Sequence, residues 1–300
     1  MRITLKQLSV FVAIARHGTM TRAADVLFMT KGAVSQALAE LESQLGVCVF
    51  DRQHARLHLN REGEKLLPLA DELLARSQGV TALFGRQGAD TRLAIGATRT
   101  IGSYLLPDMF AAFNRENGWL PGAEIDNSQA IEGMICRFEI DMALVEAPLT
   151  DPMIVCEPWL EDEMVVLAAK THWLAGKKTV SFAELAGERW LLREPGSGSR
   201  AFFDNHLAPC LGNPSVFLSL NAPDTILACV GNNLGVTFVS KRVLAQPFYA
   251  GQFVVLDTER RFVRPFTLCY HRDKYVSPTL GKWMTFCRGW ERLPGQPISG

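Results

Sequence analysis

The chain has 300 residues, 48% of them hydrophobic, and its 31 lysines and arginines balance 31 aspartates and glutamates. That length fits a small domain plus a larger one, and a neutral total argues against indiscriminate coating of nucleic acid while leaving room for a local basic face. No apolar run reaches the length of a membrane span and Met1-Arg2-Ile3-Thr4 does not open a secretory leader, so a cytoplasmic protein is expected. Residues 1–60 hold three helical patterns with short connections, near Thr4–His17, Met20–Phe28 and Thr30–Leu45. Leu5, Leu8, Val12 and Ala15 share one face of the first, with Thr4 as N-cap and Gly18 as a left-handed stop. Ala23, Ala24 and Leu27 give the second a small apolar face that allows close crossing. Thr30 caps the third, whose inner stripe is Ala33, Val34, Ala37, Leu38, Leu41 and Leu45; Gly46 ends it. Val47–Asn60 reads as two short strands with a turn. Three helices and a hairpin make a winged helix-turn-helix, which places its third helix in a DNA major groove.

Ser35 and Gln36 lie where that helix meets base edges; glutamine pairs bidentately with adenine and serine serves several bases. Thr30 and Lys31 open the same helix. Lys31, Arg52 and Arg56 suit phosphates, and a wing arginine can also enter the minor groove. Taken singly these are ordinary polar surface residues; the ordered set of helices and wing carries the reading. Residues 1–65 contain nine Lys and Arg against six Asp and Glu, a net of +3 that leaves −3 for the remainder.

On Leu5–Leu8, Phe11, Ala15, Gly18, Ala23–Ala24, Leu27, Ala33–Val34–Ser35, Leu38, Leu41–Glu42, Leu45–Gly46 and Phe50–Asp51–Arg52, the sequence resembles the LysR-type transcriptional regulators, over essentially the whole chain. Gln36 stands where many members carry arginine, and Asn60-Arg61-Glu62-Gly63 stands for the usual Thr-x-x-Gly. The resemblance implies a winged helix-turn-helix at 1–60, a linker helix and hinge at 61–90, and an effector-binding domain at 91–300. It is an α+β protein overall. The resemblance further implies that the body is a two-lobed α/β unit like a type 2 periplasmic binding protein, with lobe I expected at 91–160 plus 265–292 and lobe II at 161–264. The resemblance also implies homodimers assembling to homotetramers on an inverted-repeat promoter, with RNA polymerase as a partner if the protein activates.

Asn60–Phe84 reads as one amphipathic helix with an apolar face of Leu66, Leu67, Leu69, Leu73, Leu74, Val80 and Leu83, and with Pro68 as a possible bend. Its stripe needs a partner, either the same helix of a second copy, as the family implies, or the chain's own body. Gly85–Asp90 is the expected hinge. From Thr91 the pattern alternates strand and helix: strand Arg92–Ala97, helix Tyr104–Asn114, strand Ala123–Asn127, helix Gln129–Phe138, strand Ile140–Val145, strand Met164–Ala168, and on through Val236–Val239. Phe266–His271 and Thr279–Trp290 return to the first half. Alternation of this kind predicts parallel sheets with helices on both faces.

In open α/β sheets a ligand collects beyond the carboxyl ends of the strands. Four polar turns lie there: Thr98, Arg99 and Thr100; Asn127, Ser128 and Gln129; Arg193, Glu194, Gly196, Ser197, Gly198, Ser199 and Arg200; and Asn221 with Pro223. Free amides, a helix dipole, hydroxyls and the three arginines suit a small anion. Glu146 and Glu194 either pair with those arginines or recognise an amine. Ordinary strand-to-helix turns use the same residues, so the convergence of several carries the expectation. The segments Ser103–Pro107, Glu157–Glu163 and Arg193–Arg200 resemble regulators of small-molecule, often sulfur or carbon, metabolism, which implies a small anion such as a sulfur oxyanion.

Gly196-Ser197-Gly198-Ser199 lacks the spacing of a phosphate loop or a dinucleotide fingerprint, and neither a G-x-S-x-G elbow nor an H-E-x-x-H pair is present. The six histidines are scattered, and the seven cysteines hold no C-x-x-C pair, which points to reduced thiols. No enzyme, cofactor or metal is expected. The alternative is a DNA-binding regulator without a small-molecule effector, controlled by a protein partner; a solute-binding protein or an enzyme is remote.

Overall fold

A computed structural model of the chain describes residues 3–53, 56–84, 93–147, 149–212, 214–249 and 251–290. The head is built by local signals. Helix α1 (Leu5–His17) begins with Thr4 and Gln7 capping each other's backbone amides and stops at Gly18, at φ +69°. Thr19 and Thr30 cap α2 (Met20–Val26) and α3 (Lys31–Leu45), and Gly46 ends α3. Strands β1 (Phe50–Gln53) and β2 (Arg56–Leu59) pair antiparallel as the wing. Asn60 then caps α4 (Arg61–Phe84), its Oδ1 accepting from the amides of Glu62 and Gly63. The expected hinge at Gly85–Asp90, and the side chain of Arg52, lie outside the described residues.

The head core joins Phe11, Ile14, Leu38, Leu41, Val49 and Phe50 to Leu67 and Ala70 of α4, so the first half of the linker helix belongs to the head. Phe138 of the body enters the same cluster. Asp71 reinforces this junction, pairing with Arg16 of α1 at 2.9 Å and with the buried Lys274 of the body at 2.7 Å. The apolar face of α4 is therefore split. Leu66, Leu67, Ala70 and Leu74 pack on the head, while Leu69, Leu73 and Val80 stay exposed.

The body contains β3 (Ala94–Thr98), α5 (Arg99–Tyr104), α6 (Leu106–Asn117), β4 (Gly122–Asp126), α7 (Ser128–Cys136), β5 (Met142–Val145) and β6 (Ile154–Ala169). It continues with α8 (Phe182–Ala186), β7 (Trp190–Arg193), α9 (Gly198–Phe202), β8 (Val216–Leu220), α10 (Pro223–Gly231), β9 (Thr237–Ser240), β10 (Phe253–Leu256), β11 (Phe262–His271) and α11 (Pro278–Arg288). The order β10-β6-β11-β5-β3-β4, with β9 also on β6, makes a seven-stranded sheet among the described residues; β7 and β8 form a separate parallel pair. β3 is parallel to β4 and β5, as expected, but β11 runs antiparallel to both β5 and β6, and β9 and β10 are antiparallel to β6.

This corrects the all-parallel expectation. Two strands, β6 and β11, cross between the lobes in opposite directions, and each serves both halves of one sheet. The expected strand Met164–Ala168 is only the buried end of β6, whose residues before Met164 include Glu157, Glu161, Asp162 and Glu163 and so hide its alternation. The helix expected at Tyr104–Asn114 is α6, and a further helix not expected, α5, precedes it, the two broken at Leu105 just before Pro107. Lobe I packs around Phe113, Trp283 and Ile95, and lobe II around Trp190, Phe203, Phe238 and Phe262.

Gly63 is required by close approach: a Cβ there would lie 2.2 Å from the Val49 carbonyl oxygen, whereas one at Gly79 would meet nothing within 4 Å. Gly63→Ala is expected to cost about 1–3 kcal/mol. Gly79→Ala should stabilise α4 by up to about 1 kcal/mol. Thermal denaturation of the two variants checks the pair, and equal effects would contradict the packing of the wing on α4.

Candidate functional site

Two regions gather the expected site residues. In the head, α3 presents Lys31 and Gln36 to solvent and leaves Ser35 half-buried. Thr30 is spent as the cap, its hydroxyl accepting from the Ala33 amide at 3.2 Å. Gln36 donates to Glu40 at 2.9 Å, and the other oxygen of Glu40 accepts from Gln7 of α1. The amide of Gln36 must leave that carboxylate before it can read a base. Arg56 is exposed on β2. Sequence reading passed over Phe28, 98% exposed in the turn before α3 and held at φ +54°. A solvent-facing aromatic in a left-handed conformation is uncommon; its only sequence signal is an apolar residue at a turn position.

In the body, β3, β4 and β5 of lobe I end opposite α9 of lobe II. Thr98, Thr100, Ser197, Gly198, Ser199 and Glu146 are all buried at this junction. The backbones of the two lobes nearly touch there. A Cβ on Gly198 would lie 3.0 Å from Ser128 Oγ and 3.2 Å from Glu146 Cβ, and Gln129 donates its amide to the Gly196 carbonyl at 3.3 Å.

The centre of the junction is ionic. Glu146 accepts from the Thr100 amide at 2.9 Å, from Ser199 Oγ at 2.7 Å and from Arg264 Nη1 at 2.9 Å. Arg264 also donates through Nε to Asp162 at 2.9 Å and through Nη1 to Ser199 Oγ at 3.1 Å. Asp162 in turn accepts from Ser240 at 2.6 Å and faces Arg242. Burial pushes the Glu146 carboxyl up, but Arg264, with the hydrogen bonds from Thr100 and Ser199, outweighs it and holds the group down at about 2. Glu146 thus pairs with an arginine, though with Arg264, which sequence reading did not single out. A signal existed: Phe262, Arg264 and Phe266 alternate along one face of a strand, which puts a charge at an inward position.

The arginines expected to supply charge are already engaged. Arg99 pairs with Asp126 at 2.9 Å, Arg193 with Glu194 at 2.8 Å, and Arg200 with Asp204 at 3.0 Å. Asn127 caps α7 through the Ala130 amide, and its Nδ2 reaches Glu194 at 3.5 Å. Gln129 and Asn221 are exposed, and Pro223 starts α10 behind an Ala222 cap. Helices α5 and α9 span only six and five residues, so the dipole expected at their starts is small. Four buried polar atoms at the junction have no partner among the described residues: Thr98 Oγ1, Ser128 Oγ, Tyr104 OH and Arg264 Nη2. Tyr104 entered the sequence reading only within the segment Ser103–Pro107 and as a helix start, not as a site residue; its phenol is pushed up by burial and lies in the field of Asp224, Tyr249, Arg193 and Glu146.

Because folding lowers the Glu146 carboxyl from 4.5 to about 2, its ionic contribution is complete above pH 4.5 and is lost as pH falls towards 2. Glu146→Gln is expected to cost about 3 kcal/mol at pH 7, with the deficit shrinking as pH falls towards 2, where the native carboxyl itself begins to lose its charge. Urea midpoints measured against pH check this; a constant deficit would remove the ion pair as its cause.

Comparisons with known proteins agree with this two-part fold. The family model for the bacterial regulatory helix-turn-helix protein, lysR family, matches residues 5–64, and that for the LysR substrate binding domain matches residues 86–292. The chain is similar to the HTH-type transcriptional regulator YeiE of Escherichia coli K12, 36% identical and covering 96% of this chain and 98% of that one. A full-length OxyR variant from Pseudomonas aeruginosa superposes with a TM-score of 0.73 at 20% identity, covering 97% and 96% of the two chains. The CcmR regulatory domain of Synechocystis PCC6803, in complex with 2-PG, superposes with a TM-score of 0.61 at 22% identity, covering 66% and 95%.

Proposed function

The chain belongs to the LysR family of bacterial transcription regulators, and we propose that α3 reads promoter DNA while the junction between the lobes takes a small oxyanion. It is a DNA-binding regulator with an effector-binding domain, and the families and relatives it matches are regulators, not enzymes. Among the described residues no helix is long and apolar enough to cross a membrane.

The observation that carries the effector reading is the set of unpartnered buried donors at Thr98, Ser128, Tyr104 and Arg264. Each such group costs about 1–3 kcal/mol while unsatisfied. An oxygen-rich ligand would recover part of that, and oxyanions, those of sulfur among them, are the class to test first. The CcmR complex supports a small ligand in this fold. The exposed Leu69, Leu73 and Val80 of α4 support pairing of two linker helices, with dimers assembling to tetramers on an inverted repeat. An effector acts on such an assembly only by binding one lobe arrangement better than another. One observation favours a second reading, a regulator governed by a protein partner: Glu146 already saturates the Thr100 amide and the Ser199 hydroxyl.

Ser35→Ala and Gln36→Ala should each reduce discrimination between cognate and scrambled DNA by about 1–3 kcal/mol; equal loss on both sequences contradicts base readout. Arg52→Ala should weaken binding to any sequence and lower the salt slope by about one. A thermal-shift screen with sulfate, sulfite, thiosulfate, phosphate and small carboxylates tests the cleft. A selective rise of several degrees, lost in a Thr98→Val, Ser128→Ala double variant that still binds DNA, supports the oxyanion reading. No rise with any of them supports the partner-governed one.

A further inference from the structure

Residues 156 and 269 are direct partners across the antiparallel β6–β11 ladder, and both are cysteines. Their sulfurs lie 2.7 Å apart, with both side chains present as free thiols. Directly opposed residues of an antiparallel pair have Cα atoms about 4.5–5.5 Å apart, inside the roughly 4.4–6.8 Å window of a disulfide. The register therefore places the two residues within reach of a disulfide.

We propose that Cys156 and Cys269 form a reversible cross-strand disulfide, made by a peroxide and undone by a dithiol. The two members of the pair differ from each other and from Cys136 and Cys287. Cys156 is half-buried and reachable, and the hydrogen bond from Cys269 draws it down to about 7 against the opposing pull of burial. Cys269 is buried and is pushed up, first by Cys156 and then by its apolar surroundings. Burial pushes Cys136 up to about 12 and Cys287 upward as well. Roles follow from access and charge. The Cys156 thiolate attacks one peroxide oxygen, and with one proton gives a sulfenic acid and a water. The Cys269 sulfur then attacks the sulfenic sulfur and expels its oxygen as a second water, which takes up the thiol proton. Two thiols lose two electrons and two protons; one peroxide becomes two waters.

The location gives the bond its effect. β6 and β11 are the two strands that cross between the lobes, and their register shifts between Phe266 and Thr267, close to Cys269. Thr267 Oγ1 lies 3.5 Å from Cys269 Sγ, and Ile131 and Ile135 of α7 pack over the pair. A covalent link fixes the two crossover strands against each other beside the helix whose first residues face the cleft. This inference does not depend on the effector reading.

The test uses the full chain, purified reduced and exposed to a few equivalents of hydrogen peroxide. Free thiols are then blocked with N-ethylmaleimide and the protein is digested for mass spectrometry. A linked peptide pair containing Cys156 and Cys269, released by dithiothreitol, is expected. The oxidised chain should also unfold about 5–10 °C higher than the reduced one, and the rise should be absent in Cys156→Ser and Cys269→Ser and present in Cys136→Ser. The proposal is overturned if both thiols of the peroxide-treated native chain are recovered blocked by maleimide. It is also overturned if Cys156 is recovered as a sulfinic acid, or linked to a cysteine other than Cys269.

Discussion

Arg264 lies buried at the centre of the body, and the two carboxylates that meet it come from different parts of the chain. Glu146 follows β5 of lobe I, Asp162 lies on the crossover strand β6, and Ser199 of lobe II bonds to both Glu146 and Arg264. Taking these three charges and that of Arg242, which faces Asp162, out of water is expensive, and such a cluster adds little net stability compared with apolar residues of the same volume. What it supplies is alignment. Removing any one member leaves a buried charge uncompensated, so each fixes the positions of the others. The lobes meet where this cluster is complete, and the polar turns of the cleft take their places around it.

The head was legible in the sequence because its signals are local. Thr4, Thr19, Thr30 and Asn60 cap helices through amides two or three residues away, and Gly18 and Gly46 stop helices within the same turn. The body was legible in part. Buried strands such as β3 and β5 read as apolar runs, whereas the part of β6 before Met164 did not, because its charged residues serve ion pairs contributed by distant segments: Glu157 with Arg288, Asp162 with Arg264, Glu163 with Lys241.

The cleft divides in the same way. Its turns could be found from serines, threonines and glycines after strands. What occupies their donors could not, since Glu146 is 46 residues from Thr100, 53 from Ser199 and 118 from Arg264. Composition near a turn identifies groups that can bind an anion; it does not show that the chain has placed a carboxylate of its own among them. The linker helix repeats the lesson. One apolar stripe was readable along α4, but its division between a face buried on the head and an exposed face depends on where Arg16 and Lys274 meet Asp71.

Glu146 can be regarded as a ligand on a tether. Its carboxylate is delivered to the Thr100 amide and the Ser199 hydroxyl at an effective concentration set by the short link to β5, and tethered groups of this kind act at millimolar levels or above. A free oxyanion seeking those same donors competes with that local concentration rather than with water alone. On the oxyanion reading proposed above, its apparent affinity would be weakened by the ratio of the two, and the internal carboxylate would set a floor below which traces of common anions leave the junction untouched.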